Sequence, residues 1–330
     1  MIVDVHCHTV AGCMLTDAVP ESWRPRLLTD NGRRVLSFRG KVVGSAADDF
    51  ADPELMLARA EAAGISHLVL SPWIMLVPVL AEPAEAARIC RVQNEGLAAL
   101  AAGRADGRIS VLGAVPLQDA ALAVAELDAL MRLPGMVGVE VPASVAGSYL
   151  GEPRFLPFWE AAAGTGALVF VHPATTGLGL PALDGHYLWN SVGNPLETAI
   201  AAAQLITSGV LERYPDLKVL LAHGGGALLT LRGRLARAHQ VRPEAQADCE
   251  QPPAASLRRL YYDSLTHDVA VLRDLVAFAG AEHVLLGSDR PFDMGADQPV
   301  ADVRSAGLRP ADEALVLSGN AARLGGLADG

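Results

Sequence analysis

Two histidines near the start of the chain have a spacing that suits metal binding. His6 and His8 stand two positions apart at the end of the apolar segment Ile2–Cys7. Side chains two apart on a β-strand project from the same face, so two imidazoles here are able to grip one cation. Cys7 between them would point to the opposite face. Such a pair is a weak signal alone, because it also occurs on ordinary strands.

Three further polar residues follow apolar segments in the same way. His172 follows FV, His223 follows LLA and Asp289 follows LLGS. If these segments are parallel strands of one barrel, their carboxyl ends meet at one rim. Each residue singly fits an ordinary polar strand terminus. The convergence of all five on one rim favours a metal site with a neighbouring acid or base.

The elements that must position these residues alternate along the chain. Continuous apolar strands indicate burial on both faces, as in a parallel sheet. Eight alternations of strand and helix predict a (β/α)8 TIM-type barrel rather than an open sheet. The predicted strands are Ile2–Cys7, His67–Ser71, Ser110–Val115, Met136–Val141, Ala167–Val171, Lys218–Ala222, Leu260–Ser264 and Val284–Ser288. The predicted helices are Pro53–Ala63, Pro83–Ala102, Ala120–Met131, Phe155–Ala163, Leu196–Glu212, Ala227–Ala238, Val269–Phe278 and Asp312–Leu324.

Two segments interrupt this alternation. Thr16–Phe50 is predicted to be a loop insertion after strand one, at about residues 16–50, and Thr175–Gly193 a glycine-rich loop after strand five. On a barrel both would emerge at the carboxyl ends of the strands, where long loops build substrate pockets. With no internal repeat and no linker, the simplest organisation is one domain over residues 1–330.

Composition excludes several classes of function. The 330 residues carry a formal net charge of -11, which disfavours nucleic acid and anionic membrane surfaces as partners. No apolar stretch is long enough to span a bilayer, and no secretory leader is visible. The four cysteines form no CxxC pair and suit a reducing compartment. We therefore expect a soluble, cytoplasmic protein.

The other histidines divide by position. His67 and His283 stand at the beginnings of predicted strands, on the face where stability rather than chemistry is expected. His239 lies on or just after a helix and is expected to be solvated. His186 and His267 fall in loops on the rim side, where contact with substrate and simple exposure both remain open.

Four motifs now point to a known family. DVHCH, VHPA, AHGGGAL and LLGSDRPF occur in this order on predicted strands one, five, six and eight. They resemble the amidohydrolase superfamily, and most of all its branch of 2-amino-3-carboxymuconate-6-semialdehyde decarboxylase and related metal-dependent nonoxidative decarboxylases. The resemblance covers nearly the whole chain. Its most branch-specific feature is the HGGG segment followed by Arg234.

The resemblance implies a metal-ligand set and an acid/base. It assigns His6, His8, His172 and Asp289 to one zinc ion per chain, together with a water, although another divalent transition metal would also suit. His223 would stand beside that water as acid/base, and Asp289 would also be catalytic. No lysine occurs near the end of strand four, so the carbamylated lysine of binuclear relatives is absent.

Three acidic or hydroxylated residues near the rim remain less defined. Glu140 occupies the strand-four position and is expected to support the ligands rather than to be one. Asp263 and Ser264 end strand seven and are expected to line the mouth of the barrel.

The resemblance also implies substrate contacts. Arg234 matches an arginine that reaches into the neighbouring subunit's site and holds a substrate carboxylate, which implies a homodimer. Trp189 matches an aromatic residue placed against the substrate. The family's further arginine in the loop after strand one has no clear match, and Arg39, Lys41 and Arg290 are the candidates to replace it.

The predicted apparatus supports more than one reaction. A divalent ion polarises a bound oxygen, and a nearby histidine moves a proton at neutral pH. The resemblance favours nonoxidative decarboxylation of a small unsaturated or aromatic carboxylic acid, which makes the chain a carboxy-lyase. The alternatives are a metal-dependent hydrolase or hydratase of a lactone, amide or dienoate, and a metal-binding scaffold without activity.

Overall fold

A single eight-stranded parallel sheet forms the centre of the molecule. The computed structural model describes residues 1–43, 47–104 and 106–324, so residues 44–46 of the predicted insertion and 325–330 of the predicted domain lie outside the described part. The strands neighbour one another in chain order, which confirms the predicted (β/α)8 barrel. They are Val3–Thr9, His67–Pro72, Ile109–Gly113, Met136–Pro142, Leu168–His172, Lys218–Leu221, Tyr261–Asp263 and Val284–Leu285.

Hydrogen bonds between the first strand and the segment after the last one close the barrel. The Val5 amide donates to the Leu286 carbonyl at 2.9 Å, and the His8 amide donates to the Arg290 carbonyl at 2.7 Å. The Asp289 amide donates to the His6 carbonyl at 2.7 Å. This seam places Asp289 beside the histidine pair although the residues are far apart in sequence.

Helices surround the barrel at nearly the predicted positions. The described helices are Ala47–Ala51, Pro53–Ala62, Pro83–Ala102, Ala120–Leu130, Leu156–Thr165, Asn194–Thr207, Val210–Arg213, Leu228–Val241, Pro253–Leu257, Val269–Ala279, Pro299–Ser305, Pro310–Ala314 and Asn320–Arg323. The predicted helix Leu196–Glu212 is divided in two at Gly209, where φ is 72°. A Cβ there would lie 2.1 Å from the Asp248 carbonyl oxygen, so only glycine fits this break.

A bulge in the first strand sets the direction of the two histidines. Its register with the neighbouring strand shifts between Asp4 and Cys7. Val5 packs in the cluster inside the barrel, whereas Cys7 packs in the cluster between strands and helices. Because a bulge offsets the alternation of sides by one residue, His6 follows Val5 into the interior, and His8 joins it there.

The insertion after the first strand has a regular structure that the sequence analysis did not predict. Arg26–Asp30, Arg33–Phe38 and Lys41–Val43 form a three-stranded antiparallel sheet. A second small hairpin pairs Ser144–Val145 with Ser148–Tyr149 after the fourth barrel strand. Both lie on the side of the barrel where the strands end. Among the described residues, no helix combines the length and the apolarity needed to cross a membrane.

Candidate metal centre

The structure brings the four predicted ligands together at the carboxyl end of the barrel. His6 and His8 are completely buried, and His172 and Asp289 are 4% and 7% exposed. His6 Nε2 lies 3.3 Å from Asp289 Oδ1, and His8 Nε2 lies 3.1 Å from the same oxygen. The rings of His8 and His172 pack with centroids 5.0 Å apart. Residues from strands one and five and from the end of strand eight therefore share one small volume.

Each of the three histidines is held through its Nδ1 atom. His6 Nδ1 contacts Asp263 Oδ2 at 2.5 Å. His8 Nδ1 lies 3.1 Å from the Pro72 carbonyl, and His172 Nδ1 lies 2.9 Å from the Pro173 carbonyl. Metal-binding histidines usually donate their second ring N–H to such an oxygen, which fixes the ring and leaves Nε2 free to bind the ion.

The Nε2 atoms and the carboxylate oxygen that face one another fit a cation. His6 Nε2, His8 Nε2, His172 Nε2 and Asp289 Oδ1 are buried and make no hydrogen bond within the described residues. Leaving buried polar atoms unpaired costs free energy, so four of them at one point indicate an absent binding partner. Three imidazoles and one carboxylate suit a divalent transition metal.

The charges around this point also favour a cation. Burial would raise the pKa of Asp289, but the surrounding His6, His223 and His8 outweigh it and hold that pKa well below its usual range. Burial opposes protonation of His6, yet Asp289 and Asp263 raise its pKa to about 10. Burial would raise the pKa of Asp263 as well, but its contact with His6 outweighs burial and lowers that pKa. The two carboxylates that favour a proton on His6 would likewise favour a divalent ion in its place.

His223 differs from the three buried histidines. Its Nε2 lies 3.5 Å from Asp289 Oδ2, the oxygen that does not face His6 and His8, and its side chain is 18% exposed. Its Nδ1 has no hydrogen-bond partner in the described part of the chain. The potential ligand atoms of His6, His172, His223 and Asp289 lie within 4.8 Å of one another. Distance alone would thus admit His223 as a ligand, but its free Nδ1 and its exposure distinguish it from the three histidines held through Nδ1.

Asp263 connects the histidine cluster to His223. Besides contacting His6, its carboxylate accepts hydrogen bonds from the amides of His223 at 2.8 Å and Gly224 at 2.7 Å. It is fully buried, so the prediction that it lines the open mouth is wrong. Ser264 is also buried and accepts a hydrogen bond from the Gly287 amide at 3.2 Å. The aspartate instead orients a proposed ligand and the turn that carries His223.

Glu140 lies inside the barrel, beside the cluster. Its Oε1 is 3.6 Å from His8 Nδ1, and neither of its carboxylate oxygens has a hydrogen-bond partner within the described residues. Burial raises the pKa of Glu140 well above its usual range. Its position agrees with a supporting role, and with His8 and His172 it forms a second group of adjacent potential ligand atoms.

A cavity of about 470 Å³ opens over the cluster. His172, His223 and Asp289 line it at the end nearest the cluster, and Trp189 lies in its wall, where the sequence analysis expected an aromatic residue. The other aromatic residues that line it are Trp73, Tyr187 and Phe292. Such a cavity is large enough for a small ring compound.

The three candidates for the missing loop arginine occupy different places. Lys41 lines the cavity, with Nζ 5.9 Å from the centre of the Trp189 ring. Arg39 lies over the Trp23 ring at 3.7 Å and faces a neighbouring cavity. Arg290 donates to the Asp297 carbonyl at 2.9 Å. Lys41 is therefore the candidate that the structure brings to the cavity over the cluster.

The exposure of the remaining candidate residues agrees with the sequence analysis except at His239. Arg234 is exposed on the helix Leu228–Val241, and His186 is exposed in the loop after strand five. His267 is exposed and lines a cavity of about 380 Å³ that also includes His223. The prediction for His239 is wrong: its side chain is buried, and Nε2 lies 3.0 Å from the Cys249 carbonyl, which ties the helix to the following loop.

Comparison with known proteins identifies the family. The sequence matches the amidohydrolase family over residues 3–327. The 2-amino-3-carboxymuconate-6-semialdehyde decarboxylase of Dictyostelium discoideum is 30% identical over 245 residues, which cover 74% of this chain and 68% of that protein. The chain therefore belongs to the amidohydrolase family, as its motifs predicted.

Two further proteins extend the comparison. Gamma-resorcylate decarboxylase of Rhizobium sp. (strain MTP-10005) is 28% identical over 267 residues, covering 74% of this chain and 78% of that protein. The crystal structure of dihydroxybenzoic acid decarboxylase from Polaromonas sp. JS666 has bound manganese and the inhibitor 2-nitroresorcinol. It matches with a TM-score of 0.80 and 23% identity over 98% of this chain and 96% of that one. This likeness supports the barrel fold.

Proposed function

We propose that this protein is a metal-dependent, nonoxidative decarboxylase of a small aromatic or unsaturated carboxylic acid. The observation that carries the proposal is the set of four buried, unpaired atoms of His6, His8, His172 and Asp289, two of whose residues, His172 and Asp289, line an aromatic cavity. Named relatives that align with three quarters of the chain are decarboxylases, which favours this function over the hydrolase or hydratase.

The four residues are proposed to hold one divalent ion. When bound, the ion supplies Lewis-acid chemistry, polarising and orienting an oxygen of the acid. Three imidazole ligands favour zinc, whereas the Polaromonas structure contains manganese. Metal analysis of protein purified without added metal, followed by reconstitution with each ion, tests the choice. We expect one zinc ion per chain in active protein.

His223 is proposed to move the proton. It faces the cavity beside Asp289, and a histidine gains and loses a proton near neutral pH. It would donate to the carbon that bears the carboxylate. A π-electron pair of the ring or diene forms the new C–H bond. The C–C bond to the carboxylate would then break, CO₂ would leave, and the electron pair of that bond would re-form the π bond, restoring the conjugated system. His223 regains its proton from solvent through the open side of the cavity.

Trp189 and Lys41 are proposed to bind the substrate. The indole ring of Trp189 offers a flat apolar surface to a ring or diene, and the Lys41 ammonium group offers an attraction for the carboxylate. Together with Trp73 and Phe292 they limit the water that reaches the acid. The Asp289 side chain, between the histidines and His223, would help to position the reacting group as well as the ion.

Comparison of two reactions tests the proposed function. We expect CO₂ release from a member of a panel of carboxymuconate semialdehydes and hydroxybenzoates, with no hydrolysis of lactones or amides. Chelator treatment should abolish CO₂ release, and one added ion per chain should restore it. The His223→Asn chain, loaded with metal, serves as the control for CO₂ that is released without the enzyme's acid. Metal-dependent hydrolysis without CO₂ release would contradict the proposal.

We further propose that Arg234 completes the site of a partner subunit in a homodimer. It is exposed on its helix, and a guanidinium holds a carboxylate in a two-pronged way that lysine does not reproduce. Mixing Arg234→Ala chains with His223→Ala chains should restore part of the activity, because a hybrid dimer has one site with both residues intact. Mixtures that exchange subunits without recovering activity would remove Arg234 from the site.

The proposed location is the cytoplasm. The four cysteines are free in the structure, and the Cys7 and Cys90 thiols are buried. Free thiols are the usual state of cysteine in a reducing compartment. Fractionation of the source cells, followed by detection of the chain in the soluble fraction, tests this location.

A further inference from the structure

A second cavity lies beside the one over the metal centre, at the same end of the barrel. Its volume is about 400 Å³, which is within the range of small-molecule sites. Its walls come from the insertion after strand one and from the loops after strands two, four and five. They include the rings of Trp23, Phe38 and Tyr149. None of the proposed metal ligands lines it.

A wall of residues from two loops separates the two cavities. Ile74 and Met75 line both, while Thr175 lines the metal cavity and Thr176 lines the second one. Thr175 Oγ1 donates a hydrogen bond to Met75 Sδ at 3.1 Å, which joins the loops after strands two and five. Two compounds could therefore bind side by side without displacing one another.

The tip of the insertion's hairpin places one cation over each cavity. Phe38 pairs with Lys41 across the hairpin, and Arg39 lies in the turn between them with φ of 50°. Lys41 lines the metal cavity, whereas the Arg39 guanidinium lies over Trp23, with Cζ 3.7 Å from the ring centre, and Arg39 lines the second cavity. This stacking orients the guanidinium in advance of binding.

The charged groups of the second cavity have different hydrogen-bonding states. Glu197 is already engaged, because its two oxygens accept hydrogen bonds from Ser144 Oγ and the Ala174 amide, both at 2.9 Å. Arg39 donates one hydrogen bond, from Nε to the Ser22 carbonyl at 3.3 Å. Its two terminal amino groups have no partner within the described residues, so they are available to an anion.

We propose that the second cavity is a binding site for a small aromatic carboxylate, held by the Arg39 guanidinium with its ring among Trp23, Phe38 and Tyr149. The apolar walls accept a ring, and a guanidinium suits the geometry of a carboxylate. The site is distinct from the proposed reaction site and needs no metal. The protein would then bind two acids of the same chemical class per chain.

Calorimetric titration of the metal-loaded protein with benzoate, which has no hydroxyl group, tests the site without relying on turnover. Wild type should bind two benzoates per chain. Arg39→Gln should weaken one of them by about tenfold or more, because a hydrogen-bonded charge is lost. Lys41→Gln is the matched control from the same hairpin, and it should weaken the other. Arg39→Gln and Lys41→Gln should therefore weaken different binding events, and the double variant should weaken both.

A second variant, outside the hairpin, controls for the possibility that Arg39→Gln misfolds the hairpin. Thr176→Phe fills the second cavity without altering Arg39, and it should abolish the same binding event. Removing the metal should leave the Arg39-dependent event in place. A single benzoate per wild-type chain, bound more weakly in Lys41→Gln and unchanged in Arg39→Gln and Thr176→Phe, would overturn the second site. That result would leave the proposed decarboxylase activity intact, since CO₂ release tests it separately.

Discussion

The floor and the walls of the metal cavity are built in different ways. His6, His8 and His172 lie at strand ends, are buried, and have one ring nitrogen fixed by a neighbouring oxygen. Trp189 and Lys41 belong to the segments that follow strands five and one, where Trp189 begins a short helical turn and Lys41 begins the strand Lys41–Val43 of the insertion, and Lys41 is exposed. Fixed ligands favour one ion geometry, whereas the segments that connect the barrel strands can vary without disturbing the ligands and so set the choice of substrate. The floor therefore indicates the type of chemistry, and the walls select the acid.

If the four floor ligands bind the ion together, removing one of them should reduce metal content and turnover more than any other change proposed here. We expect His172→Ala to reduce the metal content from one ion per chain to near zero, and turnover to disappear with it. Metal analysis after gel filtration measures the first, and CO₂ release measures the second. His186→Ala, which removes an exposed histidine of the loop after strand five, is the control and should keep both. Full metal content in His172→Ala would contradict the assignment.

His223 should behave differently from the floor although it lies beside it. His223→Ala should keep the metal and lose turnover by about 10²- to 10⁴-fold, the usual contribution of a general acid or base. Because φ of His223 is 57°, His223→Asn is a second variant with a side chain that tolerates this conformation. Loss of the ion in both variants would make His223 a ligand rather than the proton donor.

The sequence predicted the floor because its positions follow from a simple rule. Residues two apart share a face of a strand, and residues that end parallel strands meet at one rim. That rule placed His6, His8, His172 and Asp289 correctly in space. It did not reveal the bulge between Asp4 and Cys7, which has no sequence signal here, although the bulge directs both histidines inward.

The walls were less predictable, since they depend on tertiary contacts. The Thr16–Phe50 segment has no sequence pattern that predicts its three-stranded sheet. A turn of that sheet directs Arg39 and Lys41 to different cavities. Asp263 was expected to line the open mouth of the barrel, but its side chain is buried at the end of strand seven, in contact with His6. His239 was expected in solvent, and the loop that covers it became visible only in the fold. Charge alone does not show which polar residues are buried.

Asp263 provides an intermediate test, because it belongs to the floor without being a proposed ligand. Asp263→Asn should weaken metal affinity by about 10- to 100-fold, the usual effect of changing a group that orients a ligand. Excess metal should then restore most of the turnover. Ser264→Ala is the matched control at the end of the same strand, and its metal affinity should stay near that of wild type. Equal loss in both variants would mean that the strand end, not the contact with His6, is responsible.

The smallest effect should come from Lys41, in the wall. Its exposed ammonium group attracts the carboxylate before and during the reaction, so Lys41→Gln should raise KM roughly two- to tenfold and leave kcat nearly unchanged. High salt should reduce the difference between the variant and wild type, because exposed charges are screened. The chain's other lysine, Lys218, donates to the Leu324 carbonyl at 3.0 Å from the start of strand six, far along the barrel from the cavity. Lys218→Gln therefore controls for the lost charge and should keep the wild-type KM.

With two lysines in the sequence, amine labelling gives an independent measurement: a bound acid should slow modification of Lys41 and leave that of Lys218 unchanged. A fall in kcat at constant KM would instead place Lys41 in the reaction itself and remove the distinction between walls and floor.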